Sequence, residues 1–282
     1  MAWKARWSAG PPAKLESAPL ARAQSGFTLV EMAVVVVIIG LVMTMGLTAA
    51  GSVLLNSQRS GTRDRMTAVR DTMVAYFAQN QRFPCPDAGS NVGNTGRDGL
   101  EDRAIGGANP EPTSACVNNL GTVPYATLGL SRDQALDAWG NFITYRLATA
   151  PAWHLSATFA LPALPAPPVC NPAGVLAPPL IGLGVFSSPA VAQTTTAAWV
   201  LISHGRNGLG AWNTGPSNAS RNDPPAGTDE LANTQPAPAG PAGYRAYPFS
   251  DVALNPMDDL VTTLVVGELN GALAKAGYQL CR

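Results

Sequence analysis

The chain has 282 residues with 18 Lys+Arg against 18 Asp+Glu, so its formal net charge is zero. Charged residues make up only 13%, while Gly (28) and Pro (25) together supply about a fifth of the chain. That balance argues against a basic nucleic-acid binder, an acidic disordered chain and a mainly helical enzyme, and it favours strands joined by long loops.

Residues 1–26 carry Lys4, Arg6, Lys14 and Arg22 against a single Glu16. No apolar stretch of signal-peptide length lies within them, so the order of an ordinary secretory signal is reversed here. The basic segment comes first, then Gly26-Phe27-Thr28-Leu29-Val30-Glu31, then an uncharged run from Met32 to Gln58. Met32–Leu55 is nearly all Val, Ile, Leu, Met, Ala and Gly. As a helix its 24 residues would extend about 36 Å, enough for a hydrocarbon core of about 30 Å. The positive-inside rule places residues 1–26 in the cytoplasm. Glu31 stands at the edge of this run, where a plain anchor gains nothing from a carboxylate. Its role is either favourable placement near a helix start or a partner outside the chain.

Past the apolar run, Met66, Val69, Met73, Tyr76 and Phe77 recur at helical spacing among charged residues. This predicts one helix from about Thr28 to about Asn80, stopped by Pro84 and Pro86. Residues 84–124 read as a long loop, and Arg97–Asp102 as a solvated turn without the alternating spacing of an EF-hand. Phe142–Leu147 alternates like a strand, with Trp139 expected to fill the core and Gly140-Asn141 to supply the turn before it. His154–Ala160, Trp199–Ser203 and Asp258–Val266 are the other candidate strands. Residues 161–193 read as a Pro/Ala-rich surface insertion, 213–243 as a mobile loop, and 268–282 as a short helix or tail. The predicted fold is α+β: a long N-terminal helix packed on an antiparallel sheet with long loops.

Cys85, Cys116, Cys170 and Cys281 all fall on the expected outer side, where disulfides persist. Four cysteines allow three pairings. Cys85–Cys116 would pin the 84–124 loop, and Cys170–Cys281 would tie the Pro-rich insertion to the C-terminus. Without a Cys-x-x-Cys and with only two histidines, no metal site of the Cys/His type is expected. Ser203-His204 with Asp258 or Asp259 imitates a catalytic triad. Adjacent residues of a strand point to opposite faces, however, and no nucleophile elbow occurs.

The segment Gly26–Glu31 followed by a long apolar helix resembles the class III signal of type IV pilins and type II secretion pseudopilins. The resemblance covers about 30 residues. It implies cleavage after Gly26 by a prepilin peptidase, N-methylation of Phe27, and a pairing of Glu31 with the N-terminal amine of a neighbouring subunit. It divides the chain into a leader (1–26), a transmembrane and filament-core helix (27–58) and a periplasmic globular domain (59–282). Pro84-Cys85-Pro86-Asp87, Pro124–Leu130, Asp137-Ala138-Trp139-Gly140-Asn141 and Ser203–Gly208 also resemble pilin-like segments. Ala138 stands where pseudopilins carry a proline, and the proline that many pilins carry in the apolar helix is missing.

The implied function is structural: a subunit, a minor one given its size, of a type IV pilus or type II pseudopilus. Its partners would be the peptidase, other pilin or pseudopilin subunits, and the inner membrane with its assembly platform. No cofactor is implied. Some pseudopilins bind calcium, but their ligands do not map onto this chain. The alternatives are an adhesin-like or DNA-uptake minor pilin and a membrane-tethered periplasmic enzyme. Residues 27–282 carry 14 Lys+Arg against 17 Asp+Glu, a net of −3 that argues against a DNA reader.

Overall fold

The computed structural model describes residues 26–80, 82–89, 96–104, 115–148, 182–214, 220–235, 243–252 and 255–275, with the side chains of 45–50 excepted. The chain divides into two compact units, Met1–Ser52 and Val53–Arg282. Helix α1 covers Leu29–Asn80, 52 residues, within a residue of the expected ends. Among the described residues no helix is long and apolar enough to cross a membrane, and the span expected over 27–58 includes positions whose side chains lie outside the described set. The described side chains of the apolar run end at Thr44 and resume at Gly51.

In the second unit the elements are β1 (Leu120–Thr122), β2 (Thr144–Leu147), β3 (Leu183–Ser188), β4 (Val191–Ser203), α2 (Thr228–Thr234), β5 (Tyr244–Arg245), β6 (Leu260–Val265) and α3 (Val266–Lys275). They form a six-stranded sheet in which β4 is central. The C-terminal half of β4 lies antiparallel to both β2 and β6, and its N-terminal half pairs antiparallel with β3. β1 extends the sheet beyond β2. The β3–β5 pair is parallel, so the sheet is antiparallel with one parallel addition. At that addition Gly184 and Gly243 meet backbone to backbone, and a Cβ on Gly243 would fall 2.1 Å from the Gly184 carbonyl oxygen.

Alternation along β2 and β4 separates two apolar faces. Tyr145, Leu147, Trp199 and Leu201 face one core with Met66, Val69, Met73 and Phe77 of α1. Val200 and Ile202 face the other with Val185 and Tyr244. The helical stripe thus packs as its spacing predicts, with Tyr76 half-buried at its margin. Phe83 bridges helix and sheet, with ring centroids 4.6 Å from Phe77 and 6.4 Å from Trp199.

Several expectations are corrected. Residues 183–193, expected in a surface insertion, supply β3, a tight turn and the start of β4. Residues 228–234, expected in a mobile loop, form α2. Trp139 is only half-buried at a turn apex, and Trp199 is the fully buried indole. The 84–124 segment holds β1 and a buried ionic cluster in place of a solvated turn. The candidate strand 154–160, most of the insertion 161–193, Cys170 and Cys281 lie outside the described residues.

Candidate functional site

The N-terminal segment comes first. Thr28 caps α1: its Oγ1 accepts the Glu31 N–H at 3.3 Å and its carbonyl accepts the Met32 N–H at 3.2 Å. Thr28-x-x-Glu31 is the sequence form of a capping box, so Glu31 falls in the first turn, where the helix dipole favours a carboxylate. Its side chain is exposed. Gly26 has open space where a Cβ would stand. Phe27 and Leu29 are 74% and 87% exposed, and no residue from Val34 to Ile39 is less than 42% exposed. Six consecutive helical residues sweep the full circumference, so this part of α1 is apolar and uncovered on every face. Such a helix is stable only inside lipid or among other helices.

The other sequence-derived candidates lie in the second unit. Cys85 and Cys116 are disulfide-bonded across 31 residues. The loop they close holds charges that the sequence reading placed in solvent. Glu101 takes two hydrogen bonds from Arg82 (2.7 and 2.8 Å) and one from the Cys85 N–H (2.9 Å). Burial pushes the Glu101 carboxyl up, but the Arg82 bonds and charge outweigh it and hold the group below its usual range. Asp87 is fully buried and accepts the Gly99 and Gly89 N–H groups. Burial raises its pKa to about 7, against the pull of the Gly99 N–H and with a push from Asp102.

Asp137 in the Asp-Ala-Trp-Gly-Asn turn is a junction that sequence reasoning missed. Its Oδ1 accepts the Trp139 and Asn141 N–H groups, its Oδ2 accepts the Ser203 hydroxyl at 2.8 Å, and its carbonyl accepts Arg65 of α1 at 2.8 Å. Gly140, at φ 88, closes the turn. Ser203 therefore serves Asp137, and the imitation triad does not assemble. His204 instead lies with Nε2 3.1 Å from Thr144 Oγ1 and Nδ1 3.8 Å from Asp259 Oδ1. Burial, helped by Arg221, lowers the His204 pKa to about 3 and keeps the ring neutral.

No curated protein and no solved structure matches the chain. Residues 21–47 match the family described as the prokaryotic N-terminal methylation motif. That match spans Gly26, Phe27, the Thr28 cap and Glu31, and it ends within α1. The chain thus carries at its N-terminus the signal of type IV pilins and pseudopilins.

Proposed function

We propose that this protein is a minor subunit of a type IV pilus or type II secretion pseudopilus. It is made as a membrane-inserted precursor, cut after Gly26 by a prepilin peptidase and N-methylated on Phe27. The globular part 59–282 stands on the periplasmic side and then on the filament surface, while 27–58 passes from lipid into the filament core. The observation that carries this reading is the methylation motif running directly into a capped helix whose apolar residues are uncovered all round.

Glu31 is the register residue in this scheme. An isolated carboxylate in an apolar bundle is very costly. The N-terminal ammonium of a neighbouring subunit's Phe27 neutralises it and fixes the axial stagger. The size of the globular part and its long loops favour a low-copy position over that of a compact repeating subunit.

The first test is intact mass and N-terminal sequencing of the protein from native membranes, with and without the peptidase. A chain starting at N-methylated Phe27 is expected; an uncut chain in cells with active peptidase overturns the reading. The second is Glu31→Ala, expected to leave insertion and cleavage in place and to abolish incorporation into filaments. Normal incorporation of that variant removes the register role.

A further inference from the structure

The loop between β5 and β6 is apolar and uncovered at its tip. Phe249 and Val252 are 54% and 60% exposed. Its base is fixed. Ser250 and Met257 exchange backbone hydrogen bonds of 2.9 and 2.8 Å, Met257 is buried, and the Asn255 N–H returns to the Val252 carbonyl. Large apolar side chains held out on a braced turn gain nothing from water. Single exposed apolar residues are ordinary on a protein surface, so it is the place of this pair that carries meaning.

That place is set by helix α1. The Arg59 guanidinium lies 3.8 Å over the Phe249 ring. Arg59 is the first charged residue after the uncharged run from Met32 to Gln58. Just before it the helix is apolar and bare, with Val53 and Leu54 67% and 60% exposed. Leu55 ends the apolar run, and the uncharged polar Asn56, Ser57 and Gln58 follow. From Leu55 to Arg59 the helix rises about 6 Å. The headgroup layer of a bilayer adds about 5–7 Å on each side of the hydrocarbon core. With the apolar run in lipid, Arg59 stands in the headgroup layer and Phe249 stands beside it. The charges fit this level as well. Among the described residues no carboxylate lies within ion-pair distance of Arg59, or of Arg63 one turn on. Both guanidinium groups are therefore open to lipid phosphates. Apolar side chains beside arginines are the composition that settles at a membrane boundary.

We propose that the loop 249–252 docks on the membrane from which the unassembled subunit projects. Phe249 and Val252 enter the boundary between headgroups and acyl chains, and Arg59 and Arg63 bind lipid phosphates. This rests on the reading above in which residues 27–58 lie in lipid before assembly. The loop gives the globular part a second foothold besides its helix, one that must be released when the helix leaves the membrane for a filament.

The test places the photoreactive p-benzoyl-phenylalanine at one position at a time in the full chain, reconstituted in vesicles of phosphatidylethanolamine and phosphatidylglycerol. Leu41, in the apolar run and 57% exposed, reports on the underlying reading. Leu100, 49% exposed, is the control. Its neighbour Glu101 accepts the Tyr76 hydroxyl, about 25 Å beyond Arg59 along the helix. Phospholipid adducts are expected at 41 and 249, and none at 100. Adducts at 41 without any at 249 leave the membrane reading standing and overturn the docking loop. So does crosslinking of 249 to a second copy of the chain, which would make the loop a subunit contact. Lipid adducts at 100 as readily as at 249 overturn it too, because the loop would then have no special place. No adduct at 41 overturns both readings. The double variant Arg59→Gln, Arg63→Gln should lower the yield at 249 and leave that at 41 unchanged; an equal yield at 249 overturns the phosphate contact.

Discussion

Removal of the Cys85–Cys116 disulfide is expected to lower the stability of the globular unit by a calculable amount. The bond closes a loop across 31 residues. The chain-entropy relation assigns such a loop about 12 cal/mol/K, or about 3.7 kcal/mol at 25 °C. Cys85 is fully buried, so the double variant Cys85→Ala, Cys116→Ala avoids burying a new hydroxyl, and Cys170 and Cys281 stay in place for both proteins. Urea unfolding followed by tryptophan fluorescence reads the transition, because Trp199 sits in the core against Phe83. With an m-value of about 2 kcal/mol/M, the midpoint should fall by about 1.5–2 M. A fall below about 0.3 M at unchanged m refutes the argument. It would mean that the loop's own ion pairs hold its ends together in the unfolded chain. A much larger fall would show that the bond also supports the native Glu101–Arg82 contact.

Phe77→Ala should cost about 3–5 kcal/mol, because its ring is fully buried between α1 and Phe83; a loss below about 1 kcal/mol in the same urea assay would contradict the packing described. Glu101→Gln leaves Arg82 and Arg103 buried without their carboxylate and should cost about 3–5 kcal/mol. The folded pKa of Glu101 is depressed, so its contribution is present above about pH 4.5 and is lost as pH falls through the lower folded value. The variant should therefore lack that part of the wild type's acid-side loss. Asp87 has the opposite sign. Its folded pKa of about 7 lies above the unfolded value of 3.8, so the folded chain keeps a proton that the unfolded chain has released. Its contribution should decline as pH rises from about 4 to about 7, and Asp87→Asn should flatten that part of the melting-temperature profile; an unchanged profile would refute the assignment. Gly121→Ala would bring a Cβ within 2.2 Å of the Asp87 carbonyl oxygen, and circular dichroism should show a melting temperature at least several degrees lower.

Helix α1 was legible because its cues are local. Thr28 and Glu31 mark its start, Met66, Val69, Met73 and Phe77 repeat at its period, and the prolines at 84 and 86 end it. The runs 199–203 and 258–266 read as strands for the same reason, and the second of them forms β6 over Leu260–Val265. What was missed depends on contacts distant in sequence. The first half of β4, Ala192–Ala198, is small and polar, and it is a strand because β3 pairs with it. Helix α2 has seven residues, too few for a period to show. It is held by polar anchors, Asn233 to the Arg245 backbone and Glu230 to Asn207 and Asp258. Arg97–Asp102 looked solvated because charge correlates with exposure. Here Glu101 is partnered by Arg82, nineteen residues back, and no pattern within the stretch announces that.

The candidate site shows the same division. Gly26, Phe27 and Glu31 stood out in the sequence because they lie in one contiguous motif, and the family match at residues 21–47 spans it. Glu230, Asp258 and Asp259 come from two separate segments and share no motif, and only the fold brings their carboxyl groups together. His204 and the two aspartates did stand out in the sequence as parts of a false triad. The structure sends Ser203 to Asp137 and turns His204 toward Asp259, which separates the apparent nucleophile from the apparent base. Glu230 gave no signal at all, because a glutamate in a Pro/Gly-rich stretch resembles any solvated loop residue. The buried polar junctions at Asp137, Glu101 and the Glu230 cluster tie β4, its neighbours and the second half of α1 together, each through partners far apart in sequence.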